Sequence, residues 1–68
     1  MKNKIKELRK QMGLTQEDLA DKVKVSRQTI ISLERGRYDP SIFLAYKIAR
    51  TFARTIEEVF IFEEEEER

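Results

Sequence analysis

Five side chains within residues 27–32 have the chemistry needed to read the edges of DNA bases. They are Arg27, Gln28, Thr29, Ile31 and Ser32. Arginine can bridge O6 and N7 of guanine, glutamine can bridge N6 and N7 of adenine, and an aliphatic side chain can contact the methyl group of thymine. At roughly 100° per residue, a helix places Gln28, Ile31, Ser32 and Arg35 on one side. Arg27 and Thr29 flank them, so the stretch predicts a helix that presents base-reading groups.

A helix-turn-helix is the arrangement that would hold this helix outward. Its opposite side carries Ile30 and Leu33, which would pack against a preceding short helix. Only residues 24–26 separate the two helices, Ser26 is a favourable N-cap for the second, and Ala20 is small where the helices cross. Because this motif presents its second helix to the major groove, we expect the helix that begins at Ser26 to be the recognition helix.

Helix-start signals divide the whole chain into five short helices. Hydroxyl residues suited to N-caps precede four of them, namely Thr15, Ser26, Ser41 and Thr55. Asp18 and Glu58 lie three residues after the first and last of these caps, as in a capping box. Ahead of them, an apolar stripe of Ile5, Leu8 and Met12, ended by Gly13, predicts the first helix.

The C-terminal half adds a helix with a wide apolar stripe and a short apolar segment. The predicted inner face of the fourth helix consists of Ile42, Ala45, Ile48, Ala49 and Phe52. Residues 59–62, Val-Phe-Ile-Phe, are apolar enough for a short terminal strand or for a tail docked on the core. No strand-like alternation precedes residue 59. We therefore expect an all-α fold of five helices.

The composition excludes most catalytic and metal chemistry. The chain has no Cys and no His, so disulfides, thiolate zinc sites and the commonest general base are ruled out. The Ser, Lys and carboxylate residues form no recognisable nucleophile–base arrangement, so we expect no enzyme, cofactor, metal site or small-molecule ligand. No apolar run nears the roughly 18 residues of a membrane span, and residues 1–10 lack a signal-peptide apolar region. We expect a cytoplasmic protein without a membrane partner.

The net charge of +1 combines two regions of opposite sign. Residues 63–68 contain five Glu and one Arg, which leaves 13 basic and 8 acidic residues in 1–62, a net charge of +5. A basic body favours an anionic partner such as DNA. We expect Glu63–Glu67 to be a solvated tail; the alternatives are that it blocks edge pairing by the apolar tail or competes with DNA for the basic face.

Three blocks of the sequence, and the spacing between them, match the pattern of a known family. They read LTQEDLA over 14–20, VSRQTI over 25–30 and LERGRYDPS over 33–41. Together they resemble the Cro/C1-type (XRE) helix-turn-helix family, and within it the compact stand-alone bacterial or archaeal repressors. The resemblance spans about residues 3–62. It implies a lambda-repressor-like DNA-binding domain in residues 1–62, followed by an acidic tail at 63–68.

The resemblance implies a role for each matching position. The base-facing residues would be Arg27, Gln28 and Ser32, with Thr29 at the border between bases and backbone. The phosphate-contacting residues would be Gln16, Arg35, Arg37 and Tyr38. Arg9 and Glu34 match a structural ion pair that ties the first helix to the recognition helix. The implied function is sequence-specific binding of double-stranded DNA by a transcriptional repressor.

Two positions depart from the family pattern. Lys24 occupies the turn position usually held by Gly, where a left-handed backbone costs a non-Gly residue roughly 1–2 kcal/mol. Ala53 and Arg54 stand where Gly and Val are usual before the last helix, so the sequence leaves the path of that loop open.

Four apolar side chains exceed what a small monomer needs on its surface, namely Phe43, Tyr46, Ile61 and Phe62. They fit a self-complementary dimer interface, and a tail folded onto the core is the other interpretation. Family members of this size usually bind DNA as twofold dimers, which implies a homodimer on a palindromic operator. The alternative function is a protein-binding module on the same fold, such as an antitoxin.

Overall fold

Five helices form in the computed structural model, which describes residues 1–62. The helices are α1 (Ile5–Gln11), α2 (Gln16–Val23), α3 (Arg27–Glu34), α4 (Ile42–Thr51) and α5 (Ile56–Val59). No strand forms in this part of the chain. The prediction of an all-α, five-helix fold is therefore confirmed. The acidic tail predicted for 63–68 lies outside the described residues.

Four of the helices begin at the predicted hydroxyl caps. The side chains of Thr15, Ser26, Ser41 and Thr55 each accept a hydrogen bond from the backbone N–H three residues further on. The Thr15 cap is reciprocal, because its own N–H donates to Asp18 Oδ2 at 2.9 Å. That hydrogen bond is the main cause that lowers the pKa of the Asp18 carboxyl below its ordinary value. Local chemistry thus sets where these helices start.

The core takes side chains from all five helices and from the segment after α5. Its buried members are Ile5, Leu8, Leu19, Ala20, Val23, Ile30, Leu33, Ala45, Ile48, Ala49, Phe52, Val59 and Phe60. Their burial positions α3 against α2 on one side and leaves its other side free. The apolar stripes predicted for α2, α3 and most of α4 are among these residues.

Two residues of the predicted apolar stripes are exposed, and the prediction that Ile42 lies on the inner face of α4 is wrong. Ile42 is 75% exposed although it was placed on the inner face of α4. It is the first residue of that helix and lies roughly 70° from the centre of the buried stripe, so it sits at the stripe's edge. Met12, the last residue of the apolar pattern that predicted α1, is the C-cap of that helix and is 51% exposed.

Val59 ends α5, and residues 60–62 after it form a docked tail. Phe60 inserts into the core and is 1% exposed. Its backbone forms a single antiparallel bridge with Asn3. The Lys4 N–H donates to the Val59 carbonyl at 2.8 Å, and the Ile61 N–H donates to the Lys2 carbonyl at 2.9 Å. Of the two interpretations of this segment, the docked tail is the one observed.

Both departures from the family pattern adopt the left-handed backbone that Gly would favour. Lys24 ends α2 with φ 65° and ψ 46°, and Ala53 has φ 56° after α4. The next residue closes each turn: the Val25 N–H donates to the Ala20 carbonyl at 3.0 Å, and the Arg54 N–H donates to the Ala49 carbonyl at 2.9 Å. The prediction of a left-handed Lys24 is confirmed, and the loop before α5 makes the same kind of turn.

We expect Lys24→Gly to raise the free energy of unfolding by about 0.5–1 kcal/mol. Relief of the left-handed strain is worth roughly 1–2 kcal/mol, and the greater freedom of Gly in the unfolded chain removes part of that gain. Urea unfolding measures the change. The matched control is Lys22→Gly inside α2, which we expect to lower stability by about 1 kcal/mol. A loss of stability in both variants would contradict the strain at Lys24.

Candidate nucleic-acid interface

α3 is buried along one side and open along the other. Ile30 and Leu33 are 0% and 1% exposed, respectively. Arg27 and Gln28, in the first turn, are exposed. The buried side anchors the helix against α2, so the first turn is presented outward with little freedom to tilt.

The remaining predicted base-facing residues are less open. Thr29, Ile31 and Ser32 are half-buried. The Thr29 hydroxyl lies 3.0 Å from the hydroxyl of Ser26, the N-cap of α3. Part of the hydrogen-bonding capacity of Thr29 is therefore used inside the protein, while Gln28 is exposed next to it.

A hydrogen-bonded network ties the end of α3 to α1 and to the start of α2. The Arg9 Nε donates to Glu34 Oε2 at 2.7 Å, and the Arg9 Nη1 donates to the Leu14 carbonyl at 2.9 Å. The Gln16 Nε2 donates to Glu34 Oε1 at 3.2 Å. The Arg9 side chain is only 10% exposed and the Glu34 side chain only 7%. This ion pair joins α1 to α3 and neutralises a buried carboxylate.

An open concavity of about 420 Å³ lies between α1, the start of α2 and the outer side of α3. Its lining residues are Lys6, Arg9, Gln16, Arg27, Ile31, Glu34 and Arg35. The one carboxylate among them is Glu34, which is already paired with Arg9. The concavity is therefore strongly cationic, with a neutral amide donor at one edge.

Lys6 is the residue of this concavity that sequence reasoning missed. The structure places it beside Gln16 and Arg27. The available signal was its spacing, because Lys6 lies three residues before Arg9 and hence on the same face of α1.

The predicted phosphate-contacting residues after α3 lie in one exposed loop. Arg35, Arg37 and Tyr38 are all exposed, and the Arg37 N–H donates to the Ser32 carbonyl at 3.1 Å. Gly36 separates the two arginines and has φ +72°, a conformation that side chains disfavour. The loop therefore turns sharply at Gly36 and carries cations on both sides of the turn.

A family pattern described as helix-turn-helix matches residues 5–59, which include α1 to α5. The chain belongs to the Cro/C1-type helix-turn-helix family. It is a DNA-binding transcriptional regulator of that family, and the family is not a class of enzymes.

Relatives in archaea and bacteria share nearly the full length of this regulator. An HTH-type transcriptional regulator of Methanocaldococcus jannaschii is 59% identical over 66 residues, which cover 97% of this chain and 100% of that protein. The HTH-type transcriptional regulator YgzD of Bacillus subtilis is 51% identical over 65 residues, covering 96% of this chain and 98% of YgzD.

Solved structures of two regulators have the same fold. The restriction-modification controller protein C.AhdI of Aeromonas hydrophila superposes with a TM-score of 0.75 at 32% identity, covering 82% of this chain and 85% of that one. The clp gene regulator ClgR of Corynebacterium glutamicum gives a TM-score of 0.73 at 26% identity, covering 79% of this chain. The match spans 57% of the ClgR chain.

The four residues predicted for a dimer interface lie in two different environments, two of them on α4 and two in the segment after α5. On α4, the Lys47 Nζ lies 5.2 Å from the centre of the Phe43 ring. One turn on, the Arg50 guanidinium lies 5.6 Å from the centre of the Tyr46 ring and donates to its hydroxyl at 2.9 Å. The α4 aromatics are thus exposed rings covered in part by cations.

Phe62 lies elsewhere, in a shallow apolar groove. It lines this groove with Ile42 and Ile56 at the meeting of α4, α5 and the docked tail. Ile61, next to it, is 39% exposed. The exposed Ile42 and the half-buried Ile56 thus contribute to this apolar surface although sequence reasoning did not select them for an interface. The available signal was the position of Ile42 at the very start of α4.

Residues 1–62, the described part of the chain, contain neither a metal-binding cluster nor a membrane-spanning helix. No cluster of three or more acidic side chains there is arranged to hold a metal ion. None of the helices in that range combines the length and apolar character needed to cross a membrane.

Proposed function

We propose that this regulator is a homodimeric repressor that reads a palindromic operator by inserting α3 into the major groove. The observation that carries the proposal is the two-sided character of α3. Ile30 and Leu33 are buried, whereas Arg27 and Gln28 are exposed in the first turn. In the helix-turn-helix motif, this end of the recognition helix contacts base edges. Repression follows from occupation of a promoter.

Base recognition in this proposal comes from the outer side of α3. Gln28 suits adenine and Arg27 suits guanine, because each side chain can form two parallel hydrogen bonds to its base. Ser32 lies one turn further along, and Ile31 supplies an apolar contact for a thymine methyl group. Thr29, whose hydroxyl lies near that of Ser26, is at the border between bases and backbone.

Phosphate contacts hold the helix in register. Gln16 donates one N–H to Glu34, and its amide carries a second N–H for a phosphate oxygen. Lys6 lines the same cationic concavity and adds a charged donor to those chosen from the sequence. Beyond α3, the loop contacts the next phosphates through Arg35, Arg37 and Tyr38. Such contacts fix orientation but carry no base specificity.

Twofold symmetry would place two copies of α3 on successive half-sites. Half-sites read by such dimers are about one helical turn, or ~34 Å, apart. The exposed apolar residues available for the interface are Ile42, Phe43, Tyr46, Ile61 and Phe62, with the half-buried Ile56 beside them in the groove. Their burial against the same surface of a second copy would remove the apolar groove from water.

Selection of bound duplexes from a random library tests the proposal. We expect a palindrome with half-site centres about 10 base pairs apart. Affinity for the selected duplex should fall steeply as the salt concentration rises. The slope of log affinity against log salt concentration should become more negative by about 0.9 for each phosphate neutralised. Selection of no consensus, or of a single unrepeated half-site, would contradict the proposed mode of binding.

We expect Phe62→Ser to weaken dimer formation by roughly thirtyfold. Each dimer would lose two apolar side chains from its interface, worth about 2 kcal/mol together for half-exposed rings. Sedimentation equilibrium at micromolar concentration measures the association. The control is Met12→Ser, an exposed apolar residue outside the proposed surface. A wild-type protein that sediments as an 8.1 kDa monomer when free, and that adds the mass of only one chain to the duplex when bound, would contradict the dimer.

A further inference from the structure

The N-terminal segment, residues 1–4, contacts the C-terminal end of α3 through the Asn3 side chain. Its Nδ2 donates to the Leu33 carbonyl at 2.8 Å and to the Met1 carbonyl at 3.1 Å. Its Oδ1 accepts from the Ile5 N–H at 3.1 Å. One side chain thus joins the end of the recognition helix, the N-terminal segment and the start of α1.

The backbone of the same segment holds the docked tail. Asn3 pairs with Phe60 in the antiparallel bridge, and backbone hydrogen bonds of 2.8 and 2.9 Å flank that pair. Phe60 is buried. The next two residues, Ile61 and Phe62, are exposed and belong to the surface proposed for the dimer. The N-terminal segment therefore sets the position from which these two residues leave the core.

The first residue of the segment touches the loop that carries the proposed phosphate contacts. The Met1 nitrogen donates to the Gly36 carbonyl at 3.0 Å. A Cβ at position 36 would lie 3.3 Å from the Met1 carbonyl oxygen, so the two backbones are close-packed. Gly36 lies between Arg35 and Arg37. The path of the DNA-facing loop therefore depends on the position of the N-terminal segment.

We propose that Asn3 is a positioning residue that couples the dimer surface to the DNA-binding surface. The inference rests on the proposed function, because it concerns a dimer that reads two half-sites. Asn3 hydrogen-bonds the last turn of α3 and pairs with the segment that leads into Ile61 and Phe62. It thereby helps to set the distance and angle between the two recognition helices of a dimer. Rigid coupling makes the dimer demand one half-site spacing.

Asn3→Asp separates the two roles of this side chain. The carboxylate can still accept from the Ile5 N–H, but it has no N–H to donate and would face two carbonyl oxygens. We expect the variant to bind the duplex selected by the wild-type protein about tenfold more weakly. We also expect a smaller difference in affinity between that duplex and duplexes whose half-sites are one base pair closer or further apart.

The measurement is fluorescence anisotropy with the three duplexes, at a temperature well below the unfolding midpoint of each variant. Gln11→Glu is the matched control, because it makes the same change of charge at an exposed residue of α1. The control should keep both the affinity and the spacing preference. Should Asn3→Asp fail to fold, Asn3→Ser keeps an oxygen for the Ile5 N–H and is too short to reach Leu33. It should show the same loss of spacing preference.

The outcomes separate positioning from plain stabilisation. A lower unfolding midpoint with an unchanged spacing preference in the folded variant would overturn the role of Asn3 and leave the proposed function standing. Failure of the wild-type protein to select any duplex with two half-sites would contradict the proposed function, and the inference would fall with it. Reduced spacing preference in Asn3→Asp and Asn3→Ser, with the control unchanged, supports the coupling.

Discussion

Glu34→Ala is expected to lower the free energy of unfolding by about 3–5 kcal/mol, because it leaves the Arg9 guanidinium buried without its carboxylate. Arg9 and Glu34 are joined by a 2.7 Å hydrogen bond, and both side chains are at least nine-tenths buried. The variant also deprives the Gln16 amide of its acceptor. A domain of this size has little stability to spare, so most of the variant should be unfolded at room temperature.

Urea unfolding followed by circular dichroism measures this loss. The matched control is Glu58→Ala, which removes an exposed carboxylate from the cap of α5 and should cost about 1 kcal/mol. The paired variant Arg9→Met with Glu34→Leu removes both charges and should recover most of the loss, because no unpaired charge stays buried. A Glu34→Ala protein as stable as the Glu58→Ala protein would show that the ion pair does not hold α3 in place.

Gln28→Ala is expected to cost about 1–3 kcal/mol in affinity for the selected operator, roughly 5- to 150-fold, and to relax the base preference at one position. The side chain is exposed in the first turn of α3, so its truncation leaves the core intact. Affinity for random duplex should change little. Competition binding with operator and random DNA measures both. Equal losses on the two kinds of DNA would contradict base reading by Gln28.

Lys6→Ala tests a phosphate contact, in contrast to the base contact tested by Gln28→Ala. A phosphate contact is independent of sequence, so this variant should weaken binding to operator and random duplexes alike. It should also reduce the magnitude of the log–log salt slope by about 0.9. Arg27 is placed for either kind of contact. It lies at the start of α3, which suits a base contact, and it also lines the cationic concavity, which suits a phosphate contact. The pattern of loss in Arg27→Ala therefore decides between a base contact and a phosphate contact for that residue.

The start of each of α2 to α5 follows from nearby residues. A hydroxyl cap and the N–H groups it satisfies lie within three residues of each other, so the sequence contains both partners of the interaction. The same holds for the left-handed Lys24, where a short connection between two helices requires a sharp turn. The buried faces of α2 and α3 also follow from spacing, because both helices are short and their stripes do not drift. Five helices and an outward α3 could be predicted for these reasons.

Only the tertiary structure decided the contacts between distant parts of the chain. Lys6 joins the cationic concavity because α1 packs beside α3, and Asn3 reaches Leu33 across 30 positions of sequence. Ile42 is exposed because the neighbouring elements cover Ala45 in the first turn of α4 but leave the edge of the apolar stripe, where Ile42 lies, uncovered. Phe60, which pairs with Asn3, is buried, whereas Phe62 two residues further on is exposed. Interactions between residues close in sequence can be predicted from the sequence, whereas each of these outcomes depends on how several helices pack together.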